Sequence, residues 1–394
     1  MRFTSTFFLH ATAFFPMLFW AVLSVAPAVQ ATQLSAEEYY TVEEYQKKHP
    51  AQLRTMMRFQ TLVRGGATPV TRNLPHIRIA FIHPGVQASD YWQRSAASFK
   101  ARMDELGLRY ELLEFRSRPT LDVRLQEQQL REALQADPDY LVFTLDVGRH
   151  KKMIEQVLER GRPKIILQNI TTPLRSWEDR QPLLYAGFDH ISGTRLLADH
   201  FMLNRPQGGT YAMLYFSQGY VSTMRGDTFK AFVHPHWKLA GTYYTDGIRA
   251  KARQATLDIL SSQDVDLIYA CATDTALGAA EAMEQTGMQG KVLLNGWGGG
   301  SAELQALLAG KLDVTVMRMN DDNGVAMAEA IRLDLEGRPH EIPVIFSGEF
   351  VLVRKDIGHD TLEYLKKRAF RYSGWDDSGT GHLTESNTAA VPSQ

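Results

Sequence analysis

The feature that most constrains this chain is an alternation. Short apolar segments recur with helix-length amphipathic segments between them: "IRIAFIHPG", "YELLEF", "DYLVFTLD" and "KIILQN" early, then "TYAMLYF", "KLAGTYYTD", "DLIYACATD", "KVLLNGWGG" and "LDVTVMRM". Strands separated by helices pair in parallel, because a parallel pair needs a long crossover. The helical period is plain after the first strand, where Trp92, Ala96, Phe99, Met103 and Leu106 fall three and four apart before Gly107 ends the run. About nine such units are too many for one ordinary open sheet. The expected fold is therefore α/β, with two doubly wound parallel-sheet lobes joined by a multi-segment hinge. In such sheets ligands sit beyond the carboxyl ends of the strands, which places a ligand cleft between the lobes.

The ends of the chain read differently. Residues 1–31 carry Arg2, contain no Asp or Glu, and run through an apolar stretch from Ala11 to Val25 into "APAVQA". That is the layout of a secretory signal peptide cleaved before Thr32. Its apolar part is interrupted by Pro16 and is shorter than the ~20 residues of a membrane span. Cys271 is the single cysteine, so no intramolecular disulfide can form, which suits a bacterial periplasmic protein with a large core. Expected boundaries are 1–31 for the signal peptide and 32–75 for an N-terminal helix and linker packing on the lobes. The first lobe takes 76–188 and 297–343, the second 189–296 and 344–372, and 373–394 form a disordered polar tail.

Charge excludes one class of partner. Lys plus Arg total 43 against 44 Asp plus Glu, without a block of like charge, so nothing recruits nucleic acid. The positions where apolar strands break are more informative. They offer Gln87, Ser89 and Trp92 after the first strand, Asn169 in "LQNITTP", Arg225 in "GYVSTMRGD", Thr273 in "ACATD", Trp297 in "NGWGGGS" and Arg318 in "VMRMNDD". Planar amides, hydroxyls, two Trp and two Arg suit a small hydroxylated ligand, with hydrogen bonds for its oxygens and an aromatic wall for its C–H faces.

Each has a plainer role open to it. Trp92 lies on the apolar face of its helix, Ser89 can cap that helix, Arg225 can pair with Asp227, and Arg318 with Asp321 or Asp322. Cys271, in an apolar strand, reads as a buried small side chain rather than a nucleophile. "GWGGGS" lacks the Lys of a phosphate loop and reads as a hinge or close-approach loop. His234 and His236 flank a proline without metal-ligand spacing, and Asp146 and His150 have no nucleophile motif beside them, so neither a metal site nor an enzyme is expected.

"QASDYW", "IILQNITTP", "RGDTF", "IYACATD", "NGWGGGSAEL" and "VMRMNDD" together resemble the LuxP family, the periplasmic autoinducer-2 receptors of vibrios, from about Thr32 to Tyr372. The resemblance implies a type I periplasmic binding protein, related in fold to ribose-binding proteins. It implies autoinducer-2, as the furanosyl borate diester, for the ligand. Gln87, Ser89, Trp92, Asn169, Arg225, Thr273, Trp297 and Arg318 would be its contacts, with the two arginines facing the borate. A tetrahedral borate carries one negative charge, which guanidinium groups stabilise without losing their own protons. Boron enters with the ligand, so no cofactor is expected. The implied partner is a LuxQ-type membrane hybrid sensor histidine kinase. Position 272 departs from the family, with Ala where Ser is usual, and residues after Tyr372 go beyond its pattern. The competing expectation is the sugar-binding component of an ABC transporter, with the same fold and a neutral ligand.

Overall fold

The computed structural model describes residues 36–375, apart from 86, 119–121 and 146–147. The expected signal peptide, Asp146 and the tail beyond Trp375 lie outside the described residues.

In chain order the strands are β1 (Ile77–His83), β2 (Tyr110–Arg116), β3 (Tyr140–Phe143), β4 (Lys164–Gln168), β5 (Leu184–Phe188), β6 (Gly209–Tyr215), β7 (Trp237–Tyr244), β8 (Leu267–Ala270), β9 (Leu293–Leu294), β10 (Val314–Arg318), β11 (Ile345–Gly348) and β12 (Phe350–Arg354). One sheet has the order β11-β5-β4-β3-β1-β2 with every pairing parallel. Another, β7-β6-β8-β9, is also parallel. Bridges Asn295↔Val314 and Gly298↔Met317 carry that second sheet on to β10, which pairs antiparallel with β12. Two lobes with parallel sheets are thus present as expected.

The central strands read as unbroken apolar runs because helices cover both faces of the sheet; all of β3 and β5 is buried. On the helix Tyr91–Glu105, Trp92, Ala96, Phe99 and Met103 are buried, as their spacing predicts. It packs on the helix Asp321–Leu335 so closely that a Cβ at Gly324 would stand 2.2 Å from Ser98 Oγ. Among the described residues no helix is long and apolar enough to cross a membrane.

Three expectations need correction. Residues 297–318 do not join the first lobe: Leu304, Leu307, Met317 and Met319 pack with Ala270 and Leu294 of the second. Residues 345–348 do not join the second lobe, because β11 pairs with β5. The chain therefore crosses between lobes around 188–190, 318–321 and 348–350. At the N-terminus the first α-helix starts at Val42, capped by Thr41 in a capping box with Glu44. The stretch read as linker holds a second helix, Pro50–Arg64, which buries Met56, Phe59 and Val63 at helical spacing behind a proline at its start.

Candidate ligand-binding site

The carboxyl ends of both sheets meet at one cavity, and every residue expected at the cleft lines it. Gln87 and Ser89 come from the loop after β1, Trp92 from the first turn of the Tyr91–Glu105 helix, and Asn169 from the residue after β4. Arg225 sits on the π-helical turn Thr223–Asp227, Thr273 opens the helix Thr273–Thr286, Trp297 follows β9 and Arg318 ends β10. Tyr91, Phe216, Val221 and Asp274 also line it and were not anticipated. Their signal was available: Phe216 ends "TYAMLYF" and Asp274 ends "ACATD", at the same kind of strand break.

The cavity has a volume of about 60 Å³. Two contacts between the lobes close the mouth. Asp274 accepts from Ala88 N–H at 3.2 Å, and Asp90 accepts from Ser301 N–H at 3.2 Å and Ser301 Oγ at 2.7 Å. Burial raises the Asp274 carboxyl above its usual range, against the backbone hydrogen bonds from Ala88 and Ser89. Asp90, not Ser89, takes the N-cap position of the 91–105 helix, without a side-chain capping hydrogen bond, and Ser89 lies at the cavity.

The ion pairs that could have accounted for the arginines do not form. Asp227 accepts from Tyr215 Oη at 2.6 Å. Asp321 accepts from the Tyr372 and Ser373 N–H groups at 2.7 Å, and Asp322 is held by Arg368 at 2.6 Å and Arg371 at 3.0 Å. Arg225, 5% exposed, donates to two neutral acceptors, Cys271 O at 2.9 Å and His190 Nε2 at 3.4 Å. Its Cζ lies 3.6 Å over the Trp297 ring. Arg318, also 5% exposed, has its Cζ 4.6 Å over Tyr91 and 5.1 Å over Trp297. Neither guanidinium has a carboxylate partner among the described residues, and both Nε–H groups are unpaired there.

Burying a charge costs several kcal/mol even after relaxation. A desolvated cation–π stack returns about 2 kcal/mol, so the aromatic walls offset part of the cost and leave the rest. Burial lowers both arginines, and the charge of Arg318 helps push Arg225 down to about 9. Both remain cations at neutral pH. Two positive charges thus share one cavity walled in part by Tyr91, Trp92, Phe216 and Trp297, which is the electrostatic complement of a small anion.

The loop "GWGGGS" is a close-approach loop. The fully buried Glu303 carboxylate accepts from Trp297 N–H at 3.0 Å, Gly299 N–H at 2.8 Å and Thr315 Oγ1 at 2.6 Å, which fixes the Trp297 ring under both guanidiniums. At Gly298 (φ 139°) a Cβ would lie 2.9 Å from Arg318 Nη1, and at Gly299 (φ 64°) 2.4 Å from Met317 Cα, so both positions require glycine. Asn169 holds a left-handed φ of 61° and keeps a buried Oδ1 without a partner among the described residues. Trp92 fulfils both readings offered for it, buried against Tyr91 and lining the cavity. Cys271 is fully buried, its thiol pushed up by burial, and lends the site its backbone carbonyl.

A family model described as "Periplasmic binding protein domain" matches residues 79–339. The chain belongs to this family. Membership places it among binding proteins and not among enzymes. Solved structures share the fold. GanP, a glucose-galactose binding protein from Geobacillus stearothermophilus, is 18% identical, with a TM-score of 0.64 over 71% of this chain and 98% of that one. An ABC transporter solute binding protein from Bacillus halodurans with bound myo-inositol is 19% identical, with a TM-score of 0.63 over 76% of this chain and 100% of that one. The XylFII–LytSN complex matches at 17% identity and a TM-score of 0.61 over 71% of this chain and 98% of that one. At these identities the likeness is one of fold.

Proposed function

We propose that this periplasmic binding protein is a receptor for the quorum-sensing signal autoinducer-2, bound as its furanosyl borate diester, as in the LuxP family. The observation that carries the reading is the pair of buried guanidiniums of Arg225 and Arg318 in one cavity, neither with a carboxylate partner among the described residues. Gln87, Ser89, Asn169 and Thr273 supply hydrogen bonds to the ring oxygens, Trp92 and Trp297 bound its faces, and the two arginines hold the borate. Boron arrives with the ligand and needs no metal ligands of its own. Cleavage before Thr32 would release the mature chain into the periplasm.

Binding drives closure. A ligand biases the lobes only through affinity that differs between the open and closed forms. Moving the population from 1:99 to 99:1 takes roughly 5.5 kcal/mol. Arg225 and Arg318 both stand on the second lobe and hold the ligand there, so closure is driven by Gln87, Ser89, Trp92 and Asn169 of the first lobe, which reach it only in the closed form. The closed receptor then presents a changed surface to a LuxQ-type membrane hybrid sensor histidine kinase. The XylFII–LytSN complex supports this step to the extent that the same fold there stands in complex with a second protein.

The second reading is the sugar-binding component of an ABC transporter. It is favoured by relatives of the same fold that bind glucose, galactose or myo-inositol, which are neutral. A neutral polyol would leave both arginines with only the through-space charge of Glu303, and of Asp90 beside Arg318, to offset them. Calorimetric titration with autoinducer-2, with and without borate, separates the two readings. The receptor reading expects affinity to rise by tenfold or more with borate, about 1.4 kcal/mol. Equal affinity in both titrations, or tighter binding of ribose or myo-inositol, refutes it.

A further inference from the structure

We propose that His190 is a positioning residue that holds the Arg225 guanidinium through a neutral acceptor, so that the charge stays available and the cavity selects anions over neutral polyols. The proposal rests on the anionic-ligand reading above and adds the group that enforces it.

His190 opens the helix His190–Asn204, where the chain first crosses between lobes, and is 1% exposed. Its ring stands edge-on to Trp297, with centroids 5.2 Å apart, and lies 5.5 Å from the ring of Tyr220. These two contacts fix its orientation, and Nε2 then faces Arg225 Nη2 at 3.4 Å. An Nε2 that accepts from a guanidinium carries no proton, which places the imidazole proton on Nδ1. Burial, reinforced by the charges of Arg225 and Arg318, keeps the imidazolium from forming.

A carboxylate stands one residue away and is turned elsewhere. Asp189 caps the same helix, accepting from Ile191 N–H at 3.3 Å and Ser192 N–H at 3.2 Å. The crossing could have offered Arg225 an acid and offers an imidazole instead. Cys271 O, the other acceptor, is also neutral. A carboxylate in either place would hold the guanidinium equally well and cancel the charge a ligand oxyanion needs. Positioning without neutralisation is the function these two acceptors share.

The test uses the full mature chain and three variants, His190→Gln, His190→Leu and His190→Asp, each titrated with autoinducer-2 in the presence and absence of borate. The readout is the ratio of the two affinities, which a loss of packing lowers in neither direction. His190→Gln should keep the wild-type ratio within about threefold and His190→Asp should reduce it at least tenfold. His190→Leu should weaken both titrations while retaining part of the ratio. A ratio unchanged in His190→Asp overturns the proposal alone. A wild-type ratio of one overturns the anionic-ligand reading and the proposal with it. Imidazole nitrogen NMR of the wild-type protein gives a check that needs no variant. An unprotonated Nε2 at neutral pH supports the proposal, and a doubly protonated His190 contradicts it.

Discussion

The guanidinium carbon of Arg225 lies 3.6 Å above the ring of Trp297, on a loop pinned by the buried Glu303 carboxylate. Cation and ring hold each other in place, and the same ring also serves Arg318 at 5.1 Å. Trp297→Leu removes both stacks at once. Ligand affinity should fall by about 1–3 kcal/mol, and Trp297→Phe should recover part of it, as calorimetric titration would measure.

Arg318→Met exchanges a buried cation that has no carboxylate partner among the described residues for an apolar chain of similar length. The ligand-free protein should become more stable by about 1–3 kcal/mol in urea unfolding, while ligand binding weakens by about 2–5 kcal/mol. A variant that loses stability and binding together would mean that Arg318 has a structural partner.

Ser301 lies outside the cavity lining and bridges to Asp90 of the other lobe. Ser301→Ala removes the hydroxyl part of that bridge and keeps the backbone N–H on Asp90, without touching the ligand. Apparent affinity should drop about fivefold, one hydrogen bond of about 1 kcal/mol, with small-angle scattering showing a larger unliganded radius.

Ala272 lines the cavity beside Thr273. Ala272→Ser adds a hydroxyl to the cavity wall, and on the proposed function affinity should rise by about two- to tenfold.

His150 is fully buried, and burial alone lowers its pKa to about 4. Its unfolded value is near 6.5, so between pH 6.5 and 4 the unfolded chain binds a proton that the folded one does not. Stability from this group is complete above pH 6.5 and is lost as pH falls. Over pH 6.5 to 5 the loss is about 2 kcal/mol. The buried Asp321 carboxyl, raised to about 6, acts in the opposite sense over the same interval, so the comparison must be made against a variant. Relative to the wild type, His150→Leu should gain urea stability as pH falls from 6.5 to 5, the difference between the two proteins growing by about 2 kcal/mol.

Much of this architecture was legible because strand and helix periods differ. The segments that end at His83, Gln168, Cys271 and Arg318 announced both the parallel sheets and the cleft at their ends. β5 was passed over because a loop, not a helix, precedes it, and the alternation rule looks for helices. β11 and β12 were missed for a related reason. They are separated by the single residue Glu349 in "IFSGEFVLVR" yet belong to different sheets, and a local pattern carries no record of which sheet a strand joins. The same gap misplaced residues 297–318, whose lobe is set by the Gly298↔Met317 bridge. At the cleft, side-chain chemistry at strand ends identified the polar groups. Whether Asp321 and Asp322 neutralise Arg318 depended on Tyr372, Arg368 and Arg371, far along the chain, and no spacing rule connects them.

The most direct test of the account is a high-resolution crystal structure of the protein grown with autoinducer-2 and borate. The account predicts a tetrahedral boron-bearing ligand in the closed cavity, with its oxygens within hydrogen-bond distance of both Arg225 and Arg318. A neutral ring that leaves either guanidinium facing only water or aromatic carbon would contradict it.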